Sequence, residues 1–444
     1  MKLRVSPLTF LDADQATTHR DWTGGRGVGK VCGMGQAGAP KTERSPVSES
    51  GGTRWLMLAM ATIGFAVNFW AWALISPLGP LFRDTGQIGE LTELDVSLLV
   101  AVPVVVGSLG RIVAGALTDR YGGRLMFPVV SGLTIVPVLF IGFLAQDSYA
   151  LLLIAGFFLG IGGTVFAVGV PFVNAWFPPA QRGLAIGIFG AGMGGTAISA
   201  LTTVSLFEIG ETVPFLITAA LLAVYTVASW LILRDAPGRV APTTSMMQRL
   251  RANATLPVTW QAGILYSIAF GGYVAFSVYL PAYLITAHGL DANDASYRMA
   301  GFVVIAVIMR PVGGAVADKV GAIPVLGVVF AVTAVCAAMA AGNPPLHAGG
   351  TVAFLAMAAA LGAGSGAVFA LIAQVTEPAR VGGVTGIVGA AGGLGGFVPP
   401  LLMGYVYGRT DSYAIGLWLL AISALLTLAL TFGPVRRLGA ERET

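Results

Sequence analysis

Beyond residue 54 the chain is a succession of long apolar runs broken by short polar turns, whereas residues 1–53 show no sustained periodicity. A helix needs about 20 apolar residues to cross a bilayer. Twelve runs meet that length: 55–82, 95–118, 125–146, 149–175, 184–206, 212–234, 258–286, 297–316, 322–341, 350–374, 381–405 and 411–433. The longer ones are expected to tilt or protrude. A polar linker, 235–257, divides them six and six, and contains Pro237, Pro242, Arg249 and Arg251. The pattern predicts an all-α membrane protein of twelve transmembrane helices, with halves 54–234 and 258–433. A disordered tail, 1–53, and a short tail, 434–444, flank them. Asp12 and Asp14 adjoin the short apolar run of the first tail, so that run is not read as a signal-peptide core.

Composition excludes the main alternative. Of 444 residues, 56% are hydrophobic and only 10% charged, and mean hydropathy is +0.81. A soluble domain carries about 25% charged residues, so this chain cannot cover a water-facing surface. Net charge is +4, but its placement matters more. Twenty of the 25 lysines and arginines fall in the tails and in the loops on one side, three (Arg83, Arg298, Arg409) in the loops on the other, and two inside spans. The bias places both termini in the cytoplasm. Cys32 and Cys336 offer no disulfide framework or metal spacing, and His19, His288 and His347 are scattered, so no metal or cofactor is expected.

The halves repeat. Arg111-Ile-Val-Ala-Gly-Ala-Leu-Thr-Asp-Arg-Tyr-Gly122 returns as Arg310-Pro-Val-Gly-Gly-Ala-Val-Ala-Asp-Lys-Val-Gly321, an offset of 199 residues (310 − 111). Gly187-Ile-Phe-Gly190-Ala returns as Gly386-Ile-Val-Gly389-Ala at the same offset, and Gly163-Thr-Val-Phe166-Ala as Gly366-Ala-Val-Phe369-Ala at 203 (366 − 163). Paired halves are a transporter architecture, with the substrate at the repeat interface near the midplane.

Arg111 and Arg310 each lie eight residues before the aspartate that ends their span, about 12 Å into the membrane. A charge at that depth is costly and is rarely kept without a partner. All 21 Asp and Glu fall in tails, loops or span ends, so no carboxylate is available. The arginines either bond backbone carbonyls or wait for an anion; a guanidinium fork matches a planar oxyanion such as nitrate or a carboxylate. Tyr266 lies about 12 Å into the seventh span and Phe270 one turn further on the same face. Phe166 and its repeat mate Phe369 sit at similar depth. The glycine runs Gly187–Gly195 and Gly386–Gly396 allow close helix approach and rocking. Asp119-Arg120 with Arg124, and Asp318-Lys319, read as a charge latch between helix ends. Gly24–Lys30 imitates a phosphate-binding loop but is followed by Val31 and preceded by no strand. Neither nucleotide nor nucleic acid is expected as a partner, and no catalytic set is evident.

Gly115-Ala-Leu-Thr-Asp119-Arg120-Tyr-Gly122-Gly-Arg124 resembles the cytoplasmic loop motif of the major facilitator superfamily. The run Gly163-Thr-Val-Phe166-Ala, Asn174-Ala-Trp176-Phe177-Pro178, Gly183 and Gly187-Ile-Phe-Gly190-Ala-Gly192 resembles the first signature of the nitrate/nitrite porter family. Gly386-Ile-Val-Gly389-Ala-Ala-Gly-Gly393-Leu-Gly395-Gly396-Phe resembles the second. The resemblance implies a major facilitator fold and substrate-clamping arginines at Arg111 and Arg310. It also implies aromatic contacts at Tyr266, Phe270 and Phe166. Two positions depart from the pattern: Met193 stands where the first signature carries asparagine, and Gly364-Ser365-Gly366 replaces Gly-Asn-Gly.

The resulting expectation is a monomeric secondary carrier of the inner membrane, not an enzyme, moving nitrate, nitrite or both by anion exchange. Another small monovalent anion such as a carboxylate, nitrate/proton symport, and a transport-dead membrane sensor are the competing readings.

Overall fold

The structure, a computed structural model, describes residues 51–239, 244–410 and 412–437. The expected tail 1–53 lies outside the described residues up to position 50. Helices occupy all twelve predicted stretches, and among the described residues there is no strand. The first half comprises α1 (Gly51–Trp72) and α2 (Ile75–Thr85) in the first span, then α3 (Glu93–Tyr121) and α4 (Gly123–Phe140). Span four is α5 (Tyr149–Leu159) and α6 (Val165–Trp176), joined by the 3-10 turn Gly160–Thr164. Span five is α7 (Arg182–Gly190) and α8 (Gly195–Ile209), joined by the 3-10 turn Ala191–Gly194, and span six is α9 (Val213–Ile232). The second half runs α11 (Pro257–His288), α12 (Ala292–Val320), α13 (Ala322–Ala341), α14 (Thr351–Val375), α15 (Val381–Thr410) and α16 (Ala414–Leu430). The polar linker contains α10 (Met246–Ala254), opened by a capping box between Ser245 and Gln248.

Among the described residues, ten helical stretches are long and apolar enough to cross a membrane. The apolar run Val381–Phe397 adds a shorter one inside α15. The remaining predicted stretch is α11, 32 residues long. Large apolar side chains such as Phe157, Leu231 and Val224 face outward, as lipid requires. The interior relies on small residues. Ser and Thr hydroxyls there bond carbonyls a turn earlier, as Thr134 does with Val130, and Asn68 donates to Ser131.

The repeat is visible in the backbone. Gly122 and Gly321, 199 positions apart (321 − 122), end α3 and α12 with φ of 86° and 87°. Glycine reaches that region without the penalty a Cβ brings. Each turn starts the next helix at once, which fixes the aspartate three residues earlier at the same end of the bundle.

Two helix crossings join the halves. Gly115 of α3 packs on Gly382 and Gly386 of α15, and Gly314 of α12 on Gly183 of α7. A Cβ on Gly115 would come within 2.7 Å of the Gly382 carbonyl, and one on Gly314 within 2.0 Å of the Gly183 carbonyl. These glycines allow backbone to meet backbone, and they bring the buried arginines of α3 and α12 toward the interface.

Candidate functional site

Arg111 and Arg310 are 1% and 2% exposed, the charged residues of the buried set among the described residues. Arg111 Nε donates to the Gly163 carbonyl at 3.1 Å and Nη1 to the Gly389 carbonyl at 2.8 Å. The first acceptor sits in the 3-10 turn of span four, where departure from α-helical bonding leaves carbonyls available. The second belongs to the other half. Backbone anchoring, one of the two alternatives posed for these arginines, therefore holds for Arg111 in part. Its Nη2 makes no hydrogen bond among the described residues.

Arg310 is held differently. Nη2 donates to Tyr266 Oη at 3.2 Å, Nη1 touches the Met193 sulfur, and Nε has no hydrogen-bond partner among the described residues. Tyr266 accepts with a lone pair, so its own proton stays available to a further acceptor. A thioether is a weak acceptor, and Met193 leaves most of the bonding capacity of Nη1 unused.

The two guanidiniums share one pair of rings. Arg111 Cζ lies 5.5 Å from the Phe166 centroid and 5.8 Å from that of Phe270, and Arg310 Cζ 6.0 and 5.6 Å from the same two. All four are within cation–π range. Tyr266 stacks parallel to Phe166 (6.1 Å, 6°) and to Phe270 (5.0 Å, 7°). Phe369 meets Tyr266 edge-on at 4.7 Å and Phe166 at 5.0 Å. The six residues singled out in the sequence form one cluster drawn from both halves. Phe65, Phe69 and Ser108 were missed. Phe65 packs on Phe166 at 5.5 Å and Phe69 lies 6.0 Å under Arg111. Ser108 abuts Gly393 one turn from Arg111. The four-residue spacing of Phe65 and Phe69 was the available signal.

The signature glycines divide by task. A Cβ on Gly187 would strike Pro311, and one on Gly386 the Arg111 carbonyl; Gly190, Gly389 and Gly393 adjoin the arginine side chains themselves. Gly192 does not belong with them. It faces Thr62 and Phe65 of α1, inside its own half.

The charge latch takes a different form from the one expected. Asp318 accepts the Gly183 and Leu184 amides, each at 2.9 Å, at the first turn of α7. Asp119 meets the corresponding end of α15: the Gly383 amide donates to it, and a Cβ on Gly382 would collide with Oδ1. Both carboxylates thus sit on positive helix ends in the opposite half. Asp119 also pairs with Arg249 of α10 at 2.5 Å, and Arg239 donates to its carbonyl at 2.9 Å. Arg120, Arg124 and Lys319 form no ion pair among the described residues. Arg120 lies over Tyr121, and the Arg124 amide donates to Asp235. At Asp318 backbone amides take the place of a side-chain cation, because the close glycine packing delivers the start of α7 directly to it; Asp119 combines the start of α15 with Arg249.

Two pseudo-repeated halves of six spans meeting at a buried arginine pair define a polytopic transporter-type membrane protein. A family model of the Major Facilitator Superfamily matches residues 61–372 and 263–444. The chain is 47% identical over 378 residues to the "Probable nitrate/nitrite transporter NarK2" of Mycobacterium tuberculosis, covering 84% of this chain and 95% of that protein. It is 36% identical over 379 residues to the "Nitrite extrusion protein" of Bacillus subtilis, covering 84% and 93%. Among solved structures, the human organic anion transporter MFSD10 (TETRAN) shares the fold, with a TM-score of 0.72 at 14% identity over 85% of this chain and 99% of that one. The chain belongs to the Major Facilitator Superfamily, in the group formed with these nitrate and nitrite transporter relatives.

Proposed function

We propose that the protein is an alternating-access carrier of nitrate and nitrite in the inner membrane, acting as a monomer and exchanging one anion for the other. The observation that carries this reading is the arginine pair: two buried guanidiniums on a shared aromatic platform, with no buried carboxylate opposite them among the described residues. In this reading Arg111 Nη2 and Arg310 Nε and Nη1 clamp the oxygens, and the Tyr266 hydroxyl donates a further bond. Phe166 and Phe270 flank the flat anion, while Phe369 holds the other rings in place. The halves 54–234 and 258–433 rock about this site. The face bearing Asp119 and Asp318 is the cytoplasmic one, with the linker 235–257 and both tails on that side, as the lysine and arginine bias supports. The printed names of the relatives support the substrate class.

A small carboxylate is the second reading, favoured by Met193, which places a thioether rather than an amide on Arg310. Counterflow in proteoliposomes separates the two. Labelled nitrate should enter against internal nitrite and be competed by nitrate and nitrite well ahead of formate or acetate. Preference for a carboxylate would replace the nitrate reading with the second one. Ligand binding with no movement of any anion would mark a sensor instead.

A further inference from the structure

Tyr273 shares a face of α11 with Tyr266 and Phe270, at seven and three residues' distance. Seven residues of rise carry it about 10 Å beyond Tyr266, toward the end of the bundle opposite the aspartate latches. Its ring centroid lies 6.3 Å from that of Phe270, and its ring stacks nearly parallel on Phe302 of α12 (6.4 Å, 10°). The residue is 4% exposed. Among the described residues its hydroxyl has no hydrogen-bond partner. Tyr273 and the Arg310 guanidinium both pack on the Phe270 ring.

Packing alone does not call for this hydroxyl. The rings it packs on, Phe270 and Phe302, are both phenylalanine. Phenylalanine would fill the same space. Along α11, Tyr273 lies about two turns further from the aspartate latches than Tyr266.

We propose that the Tyr273 hydroxyl is a positioning donor for the transported anion. It would receive a small planar oxyanion between the end of the bundle opposite the latches and the arginine clamp, and hand it on to Tyr266 and Arg310. The proposal rests on the anion-carrier reading above.

The test compares Tyr273→Phe with the unmodified full chain in nitrate/nitrite counterflow, alongside calorimetric titration of purified protein with nitrate. The KM for external nitrate should rise about five-fold, as expected for one lost hydrogen bond. Maximal exchange should stay within about two-fold, and nitrate Kd should rise in parallel with KM. Thermal stability should be unchanged, because phenylalanine keeps the ring packing on Phe270 and Phe302. An unchanged KM and Kd would overturn the assignment. So would a fall in maximal rate or stability with KM unchanged, which would mark a gating or packing role. If the unmodified protein neither binds nor exchanges nitrate, it is the carrier reading that fails, and this proposal falls with it.

Discussion

Gly190 of α7 lies directly on the guanidinium of Arg310 of α12: a Cβ there would stand 2.8 Å from Nε. Its repeat mate Gly389 relates to Arg111 more loosely, at 3.3 Å from Cδ and 3.6 Å from Phe166. Gly190→Ala must therefore push Arg310 off its platform, while Gly389→Ala asks for a shift of only a few tenths of an ångström. Nitrate exchange should fall about ten-fold or more in the first variant and about three-fold or less in the second, a misplaced clamp being costly in rate. Equal effects would show that Arg310 relaxes freely and that its placement does not limit transport.

The clamp itself is tested by Arg111→Lys and Arg310→Lys. Both keep the charge and lose the planar fork. Lysine at 111 cannot bond the Gly163 and Gly389 carbonyls and still present donors to an anion. Lysine at 310 gives up the Tyr266 bond or the substrate. With charge-assisted bonds each worth about 1.5–3 kcal/mol, transport should drop about 100-fold or more while folded protein remains in the membrane. Near-normal nitrate exchange by either variant would remove the arginines from the site.

Much of this site was legible because an arginine in an apolar run has few physical excuses. Depth along a span follows from helical rise alone, so the match in depth between Arg111, Arg310, Tyr266 and Phe166 could be read before any contact was known. The repeat of Gly187 and Gly190 at Gly386 and Gly389 likewise exposed the interface. What stayed hidden depends on how helices meet. Gly192 belongs to the same run as Gly190, yet the 3-10 turn at Ala191–Gly194 rotates it onto α1. The amides that Asp119 and Asp318 accept lie 264 and 135 residues away in the chain (383 − 119 and 318 − 183), and the cation that Asp119 does pair with is Arg249 of the linker rather than a neighbour in sequence. The breaks inside spans four and five could not be placed, since glycine-rich sequence suits α and 3-10 geometry alike. α10 was signalled by Ser245 and Gln248 at capping-box spacing and was overlooked in a polar linker.

Met193 is the position where a single change should alter selectivity. Asparagine there would offer Arg310 an amide oxygen, and offer the anion an amide donor, in place of sulfur. Met193→Asn should shift the ratio of nitrate to formate competition by about five-fold, one net hydrogen bond. An identical competition profile across nitrate, nitrite and formate would mean that the side chain at 193 serves packing only.

The aspartate latches should set how often their face opens. Asp318→Asn keeps one acceptor and loses the charge that favours the α7 amino end. Asp119→Asn does the same at α15 and also strands Arg249. A loss of about 1.5 kcal/mol is about ten-fold in the opening equilibrium. A cysteine replacing Thr385, buried one turn inside Gly382 on α15, reports this in a background lacking Cys32 and Cys336. Its labelling by a membrane-impermeant thiol reagent should accelerate about ten-fold in Asp318→Asn, and more in Asp119→Asn. Labelling rates that do not respond would show the aspartates to be static caps.

The last prediction concerns energy coupling. Proton symport commonly uses an ionisable group that gains and loses a proton inside the membrane. Among the described residues the buried charged groups are Arg111 and Arg310, and guanidinium keeps its proton throughout the accessible range. Two unliganded guanidiniums on one aromatic platform also repel each other, and the repulsion opposes closure of the halves around them. An anion between them removes that penalty, so the loaded carrier reorients more easily than the unloaded one. Those two features together favour one-for-one exchange of like charges, with no net charge moved. In proteoliposomes, nitrate uptake should require internal nitrite or nitrate. It should stay insensitive to membrane potential, and it should stop when an inert anion fills the lumen. Accumulation of nitrate driven by an inward proton gradient, with no exchangeable anion inside, would show that protons reach the site by water or with the substrate, and would replace exchange with symport.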